Sequence, residues 1–453
     1  MKFEPGLSKL LPIELIKKYQ VIPLAEEGQA LIIGMEAPFD LQAVDDLCLL
    51  TGKVVIPRQM TREEIAVALK RFILDSHSVI GETVGEKYDP IQYDPNNQVG
   101  RLIDTILLKA VREGASDVHF EPEEQGWRVR FRIDGILVEL VRPQLENYAG
   151  IISRLKILAG LDISKKRDPL EGRFQQNISG KKYDFRLVTM PSLYGEKAVL
   201  RVLYKETVGF TLDKLGFSAD NLEKVTGLLA HPQGLILVTG PTGSGKTTTL
   251  YAILQKLLTP EKSITTLEDP IEYTLPGVTQ IAINQDEGLS YVECLKSLLR
   301  QDPDIIMIGE IRDRETARIA LRAALTGHTV LATLHTTSAP QAISRLLDLE
   351  VEPFLIKSGL VGVVSQRLIR VKCHCNQGCP SCNFTSYSGR TSIQEALEIT
   401  PDLKRHINSN FAEHSFILAA ERAGYQSLIA MGKGLCDKGI TDRVELARVI
   451  YCP

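Results

Sequence analysis

Residues 240–247 read Gly-Pro-Thr-Gly-Ser-Gly-Lys-Thr and fit the spacing G-x-x-x-x-G-K-[ST]. Residues of these types at this spacing can grip a chain of phosphates. Gly240, Gly243 and Gly245, with Pro241, Thr242 and Ser244 between them, let backbone N–H groups close around phosphate oxygens where a Cβ would clash. Lys246 can reach the β- and γ-phosphates, the Thr247 hydroxyl can ligate Mg²⁺, and Thr248 follows in the same turn. An apolar run, Leu235 to Thr239, precedes the loop and a helical pattern, Thr247 to Leu258, follows it. That order sets the phosphates at a helix N-terminus. The stretch predicts binding of a nucleoside triphosphate.

Such a site draws an acidic residue from a second strand, close to the metal and the attacking water. Two segments offer one. In ITTLEDPIE, Glu268, Asp269 and Glu272 close a strand-like run, and in DIIMIGEIRD, Glu310 follows another. Both put carboxylates at strand C-terminal ends, where open α/β sheets collect ligands; any one of them alone could equally be a solvated strand-end acid. A third run, TVLATL, ends at His335, with His328 just before it. A lone histidine is as often structural as functional. At a strand end facing the γ-phosphate, His335 would sense the nucleotide by hydrogen bonding.

The segment VKCHCNQGCPSC places Cys373, Cys375, Cys379 and Cys382 within ten residues. Four thiolates satisfy a tetrahedral structural Zn²⁺. The Cys379-x-x-Cys382 half has ordinary spacing and the Cys373-x-Cys375 half is tight, so His374 is a candidate to replace one sulfur. The other reading is a cluster of free or redox-active thiols. Cys48, Cys294, Cys436 and Cys452 are scattered and read as core or surface thiols.

The elements that must carry these residues fall into three units with an α/β or α+β pattern. Residues 1–75 alternate helical patterns (Leu10 to Tyr19, Thr61 to Phe72) with strand-like runs (Ala30 to Gly34, Lys53 to Pro57). Residues 76–98, rich in Gly, Pro, Asp and Asn, read as a linker. From 99 to 206 a helical stripe (Leu102, Ile103, Ile106, Leu107, Ala110, Val111) precedes WRVRFRID. There Trp127, Val129, Phe131 and Ile133 share one face and Arg128, Arg130 and Arg132 the other. Asp134-Gly135 signals a hairpin turn into ILVELV. A helix carrying Tyr148, Ile151, Ile152, Leu155 and Leu158 follows, then the strands YDFRLV and AVLRVL. The third unit, 207–453, opens with a helix, Ala219 to Ala230, and contains the phosphate loop and the cysteine insert at 373–382.

Composition bounds what this assembly does. The 453 residues suit two to four domains, with three the central expectation. At 44% hydrophobic and 24% charged, the chain reads as an ordinary globular one, not a disordered or collagenous one. A formal net charge of −3 gives no global basic field for nucleic acid. No run approaches eighteen apolar residues, and Glu4, Pro5, Pro12 and Glu14 interrupt the start, so neither a membrane span nor a secretory signal is expected. The chain is expected in the cytosol, where clustered cysteines favour metal over disulfides.

With GPTGSGKTTTL and LEDPIEY, the stretch QDPDIIMIGEIRDRETARIALRAALTGHTVLATLHTTSAPQAISRLLDL resembles the secretion and pilus-assembly ATPases of the type II secretion and type IV pilus superfamily. The resemblance covers about residues 100–450: the phosphate loop at 240–247, an acidic box at 265–272, a divergent second acidic motif at 305–310 and a histidine box at 326–335. It implies a RecA-like P-loop ATPase domain, preceded by a PAS-like α+β middle domain and a small α/β N-terminal domain that docks a membrane-anchored partner. It implies a cytoplasmic homohexamer at the inner face of the membrane. That ring would hydrolyse ATP to drive an inner-membrane platform protein that adds pilins to a pilus or pseudopilus. By the resemblance Glu310 orients the attacking water, Glu268 and Glu272 support Mg²⁺ and that water, and Arg186 and Arg201 of the middle domain reach the γ-phosphate. Zinc at the cysteine insert also fits the family's assembly-type members. The tandem Leu/Gly-rich motif that some relatives use for cyclic-di-GMP is not apparent, so that ligand is not expected.

Two other classes compete. A DNA-translocating P-loop ATPase would show nucleic-acid stimulation with a steep salt dependence. A nucleotide-gated scaffold would bind ATP without turnover, against the acids Glu272 and Glu310.

Overall fold

In the computed structural model the described residues are 21–27, 30–36, 44, 47–48, 54–61, 65, 98–141, 148–204, 211–284, 288–375, 378–379, 382 and 385–450. The chain forms two compact units, 1–93 and 94–453.

In the first unit, strand β1 (Val21–Glu27) pairs antiparallel with β2 (Ala30–Met35), which pairs in parallel with β3 (Val54–Gln59). Val21, Ile22, Leu31, Ile33, Met35 and Val55 form its small core with Leu47, Met60 and Ile65. The two strand-like runs expected here became β2 and β3. β1 escaped notice because VIPLAEE breaks its alternation with Pro23 and two acids. The helical pattern at Leu10 to Tyr19, most of that at Thr61 to Phe72 and nearly all of the 76–98 stretch lie outside the described residues.

The second unit holds two sheets. The six-stranded one runs in the order β6-β5-β4-β9-β8-β7. Its strands are β4 (Asp117–Glu123), β5 (Gly126–Ile133), β6 (Ile136–Val141), β7 (Leu170–Ile178), β8 (Lys181–Ser192) and β9 (Gly195–Tyr204). All of its strand pairings are antiparallel. The apolar face expected on β5 meets helices Gln98–Arg112 and Tyr148–Leu158 over a core of Phe120, Trp127, Phe131, Ile106, Leu155 and Phe185. The Arg128, Arg130 and Arg132 face opposes acids: Arg130 and Arg128 bind the buried Glu121, and Arg132 lies 3.5 Å from Asp117. Two strands were not expected, β4 and β7. In β7 only Phe174 and Ile178 are buried, so its sequence shows no sustained period.

The seven-stranded sheet has the order β12-β11-β13-β14-β10-β15-β16. It comprises β10 (Gly234–Thr239), β11 (Ile264–Glu268), β12 (Thr279–Ala282), β13 (Ile305–Ile308), β14 (Thr329–Leu334), β15 (Leu360–Lys372) and β16 (Tyr387–Glu398). All pairings are parallel except β15 with β16. β10, β11 and β13 are buried along their whole length, as a sheet covered on both faces requires. The order matters for function. β13 and β14 slot between β10 and β11, so four neighbouring strands deliver their C-terminal ends to one edge of the sheet. The two sheets meet where Asp134, on the β5–β6 turn, accepts from the Gly389 N–H at 2.9 Å and pairs with Arg390 at 3.2 Å.

Candidate nucleotide site and cysteine cluster

Each of those four strand ends runs directly into a site segment. β10 leads into the phosphate loop, β11 into 269–272, β13 into 309–312 and β14 into His335. The loop's sharp entry depends on Gly240, at φ 148°, where a Cβ would fall 2.5 Å from Ser244 Oγ and 2.6 Å from Gln366 O. Gly245 caps the helix Lys246–Leu257, so the loop's N–H groups and the helix N-terminus face the same space. The Lys246 ammonium donates to Gly240 O at 2.9 Å and Pro241 O at 3.1 Å. Burial lowers its pKa, which the Glu310 carboxylate opposes.

A cleft of about 480 Å³ opens here, lined by Thr242, Gly243, Lys246, Thr247, Thr248, Glu268, Glu272, Glu310 and His335, and by Ser116, the residue just ahead of β4. Glu272 takes up protons more readily than an ordinary glutamate, because its carboxyl is enclosed by the cleft and stands near Glu268; Arg201 and a hydrogen bond from Thr247 oppose that. Glu310 lies between two bases, paired closely with Arg312 and 3.5 Å from His335 Nε2. It can follow β13 so tightly because residue 309 is glycine: a Cβ there would meet Tyr291 Oη at 2.9 Å and Leu267 O at 3.1 Å. Burial and the nearby Lys246 charge depress the His335 pKa, so its imidazole is neutral at pH 7. His328 sits at the other end of β14, where Nδ1 is 3.0 Å from Ala323 O, away from the cleft.

Glu268 also lines the cleft, and its oxygens are engaged. They accept from Thr266 Oγ1 at 2.6 Å, Gln280 Nε2 at 3.0 Å and the Tyr251 hydroxyl. Gln280 Nε2 also donates to Tyr273 O at 2.9 Å, which ties the Glu272 segment to this strand end.

Arg186 and Arg201 are register partners on β8 and β9, the neighbouring antiparallel strands expected for them. Arg201 donates to Asp117 at 3.2 Å, and its charge is felt at Glu272. Arg186 is held by Glu171 at 2.7 Å, and neither arginine is among the cleft-lining residues. Neither Arg312 nor Gln366 figured in the sequence reading. Arg312 was visible in GEIRD as a charge beside Glu310; an amide such as Gln366 carries no comparable signature.

The four cysteines converge despite the short insert. Cys373 and Cys379 sulfurs lie 3.9 Å apart, Cys375 and Cys382 3.7 Å, Cys379 and Cys382 3.7 Å, and all four fall within 4.8 Å of one another. A tetrahedron with metal–sulfur bonds of about 2.3 Å has edges of about 3.8 Å, so this donor set fits zinc. His374 is exposed and is not needed to complete it. The Cys379 N–H aimed at the Cys382 sulfur holds that thiol down at about 6.

The profile described as "Type II/IV secretion system protein" matches residues 92–448. The chain belongs to the type II/IV secretion system protein family. The profile described as "MshEN domain" matches residues 4–79 of this family member. It is 39% identical to the type IV pilus assembly ATPase PilB of Myxococcus xanthus, over 98% of this chain and 86% of that protein. It is 44% identical to the type II secretion system protein HxcR of Pseudomonas aeruginosa, over 91% of this chain and 90% of that protein. Among solved structures, the pilus retraction motor PilT with bound ADP superposes with a TM-score of 0.56 at 29% identity, covering 78% of this chain and 97% of PilT. The Legionella pneumophila ATPase DotB shares the fold, with a TM-score of 0.62 at 21% identity over 79% of this chain and 96% of DotB. Among the described residues of this secretion-family chain, no helix is long and apolar enough to cross a membrane.

Proposed function

We propose that this chain is a cytoplasmic motor that works as a homohexameric ring at the inner face of the membrane. ATP hydrolysis drives an inner-membrane platform protein, so that pilins are added to a type IV pilus or a type II secretion pseudopilus; the N-terminal unit docks a membrane-anchored partner. The chain is an ATPase. What supports the reading most directly is the meeting of Lys246, Thr247, Glu272, Glu310 and His335 in one cleft, which Ser116, just ahead of β4, also lines.

The roles follow from placement. Lys246 and the loop N–H groups, from Gly240 to Thr248, neutralise and orient the phosphates. The Thr247 hydroxyl and Glu272 carboxyl form a hard-oxygen pair suited to Mg²⁺, which when bound adds positive charge to the phosphate oxygens. Glu268 supports that pair from the end of β11. Glu310, steadied by Arg312, orients the attacking water, and neutral His335 hydrogen-bonds the γ-phosphate. Arg201 and then Arg186 supply positive charge as Asp117 and Glu171 release them, a contribution on the order of 10³–10⁵ in rate for such arginines. Cys373, Cys375, Cys379 and Cys382 hold a structural zinc.

Steady-state ATPase assays of the purified chain, beside an Arg186→Gln/Arg201→Gln variant, test this reading. Turnover in the wild type and its collapse in the variant are expected. Unchanged turnover in the variant would overturn the arginine mechanism, and a rate raised by DNA with a steep salt dependence would favour a translocase.

A further inference from the structure

Strand β15 pairs in parallel with β10 and so runs directly beside the phosphate loop. Its residue Gln366 is 1% exposed, and both ends of its amide are used. Nε2 donates to Ser244 O at 2.6 Å, and Oε1 accepts from Thr249 Oγ1 at 2.8 Å. The Gln366 carbonyl also fills the space a Cβ on Gly240 would need. One residue thus touches the loop at its entry, its middle and its first helical turn.

The bond to Ser244 O has a geometric consequence. A trans peptide points its C=O and the next N–H in opposite directions. Holding the Ser244 carbonyl toward β15 therefore turns the Gly245 N–H away from β15. Arg367, the next residue, is also buried. It donates to Gln366 O at 2.9 Å and to Thr337 O at 2.6 Å. Thr337 lies two residues beyond His335, so the guanidinium ties the His335 segment to the same strand.

We propose that Gln366 and Arg367 are positioning residues for ATP hydrolysis. Gln366 sets the shape of the phosphate loop, and Arg367 fixes the His335 segment against it. Neither lines the nucleotide cleft. The proposal rests on the ATPase reading above and sharpens it by dividing labour: Gln366 governs nucleotide affinity and Arg367 governs turnover.

The full chain tests this by ADP titration and steady-state kinetics, with thermal melts as the folding control. Gln366→Met, similar in volume but without hydrogen bonds, should weaken ADP binding about tenfold. Thr249→Val should weaken it by a smaller factor, and the double variant should bind no more weakly than Gln366→Met alone, since both remove one interaction. If Gln366→Met melts early, Gln366→Leu serves in its place; it too lacks a donor for Ser244 O and an acceptor for Thr249, and it should show the same weakening. Arg367→Met should leave ADP affinity within about twofold and lower kcat about tenfold, with Arg367→Lys recovering part of it. ADP affinity like wild type in both Gln366 variants, or equal loss of affinity and kcat in Arg367→Met, would overturn the proposal. The ADP arm judges Gln366 whether or not the wild type turns ATP over, so its failure is separable from failure of the ATPase reading.

Discussion

The cysteine loop offers a perturbation whose size follows from the spacing of its sulfurs. Three sulfur pairs stand at 3.9, 3.7 and 3.7 Å, within about 0.1 Å of a zinc tetrahedron's edge. A metal would enter once the more widely spaced sulfurs, which lie within 4.8 Å, draw in by up to about 1 Å. Cys382 is the buried member, 4% exposed, and the Cys379 N–H stabilises its thiolate. Cys382→Ser replaces that ligand with a poor one and leaves three sulfurs. Structural zinc contributes roughly 10–16 kcal/mol in isolated peptides. Here β15 and β16 already hold the loop's ends, so most of that stabilisation should appear as local order. Elemental analysis should find about one zinc per wild-type chain and none in Cys382→Ser. Hydrogen exchange should speed markedly in 373–386 while ADP affinity stays within about twofold. Zinc-free wild type with the same slow exchange would refute the reasoning and leave a cluster of thiols.

Other outcomes follow from the same geometry. Lys246→Ala should weaken ADP and ATP binding on the order of 100-fold, the loss of a charge-assisted contact to phosphate, measured by nucleotide titration. His335 is neutral at pH 7 because burial and Lys246 lower its pKa. Turnover should therefore fall only as the pH drops below 6.5, and His335→Asn should remove that acid limb; an unmoved limb would assign it to a carboxylate. Glu121 is buried among Arg130, Lys197 and Arg128, whose hydrogen bonds outweigh the cost of burial and bring its pKa to about 2 from 4.5. That stabilisation is complete above pH 4.5 and is lost as the pH falls toward 2. After screening at the sheet surface it should be worth about 2 kcal/mol, and Glu121→Gln should show at least this loss by urea unfolding at pH 7.

The phosphate loop was legible because its glycines answer to backbone geometry: Gly240 has no room for a Cβ, and that constraint is written in residue type. The cysteines were legible for a similar reason, since few residues bind soft metals. Trp127, Val129 and Phe131 declared their face through a period of two. What escaped depends on contacts distant in sequence. Gln366 lies 122 residues from the carbonyl it holds. Nothing in the local pattern says that β13 and β14 enter between β10 and β11, although this order assembles the cleft. The pairing of Arg186 with Glu171 and of Arg201 with Asp117 belongs to the same class, because strand register, not composition, decides it.

Hydrolysis in this cleft depends most directly on the carboxylate at the end of β13. Glu310→Gln keeps the size of the side chain and one acceptor oxygen, but it loses the charge, turns the other oxygen into a donor and cannot serve as a base toward water. Measured together on the full chain, ATP affinity should remain within about twofold of wild type while turnover falls on the order of 100-fold or more. Wild-type turnover in Glu310→Gln would contradict that role for Glu310 and shift the orienting of water to Glu272.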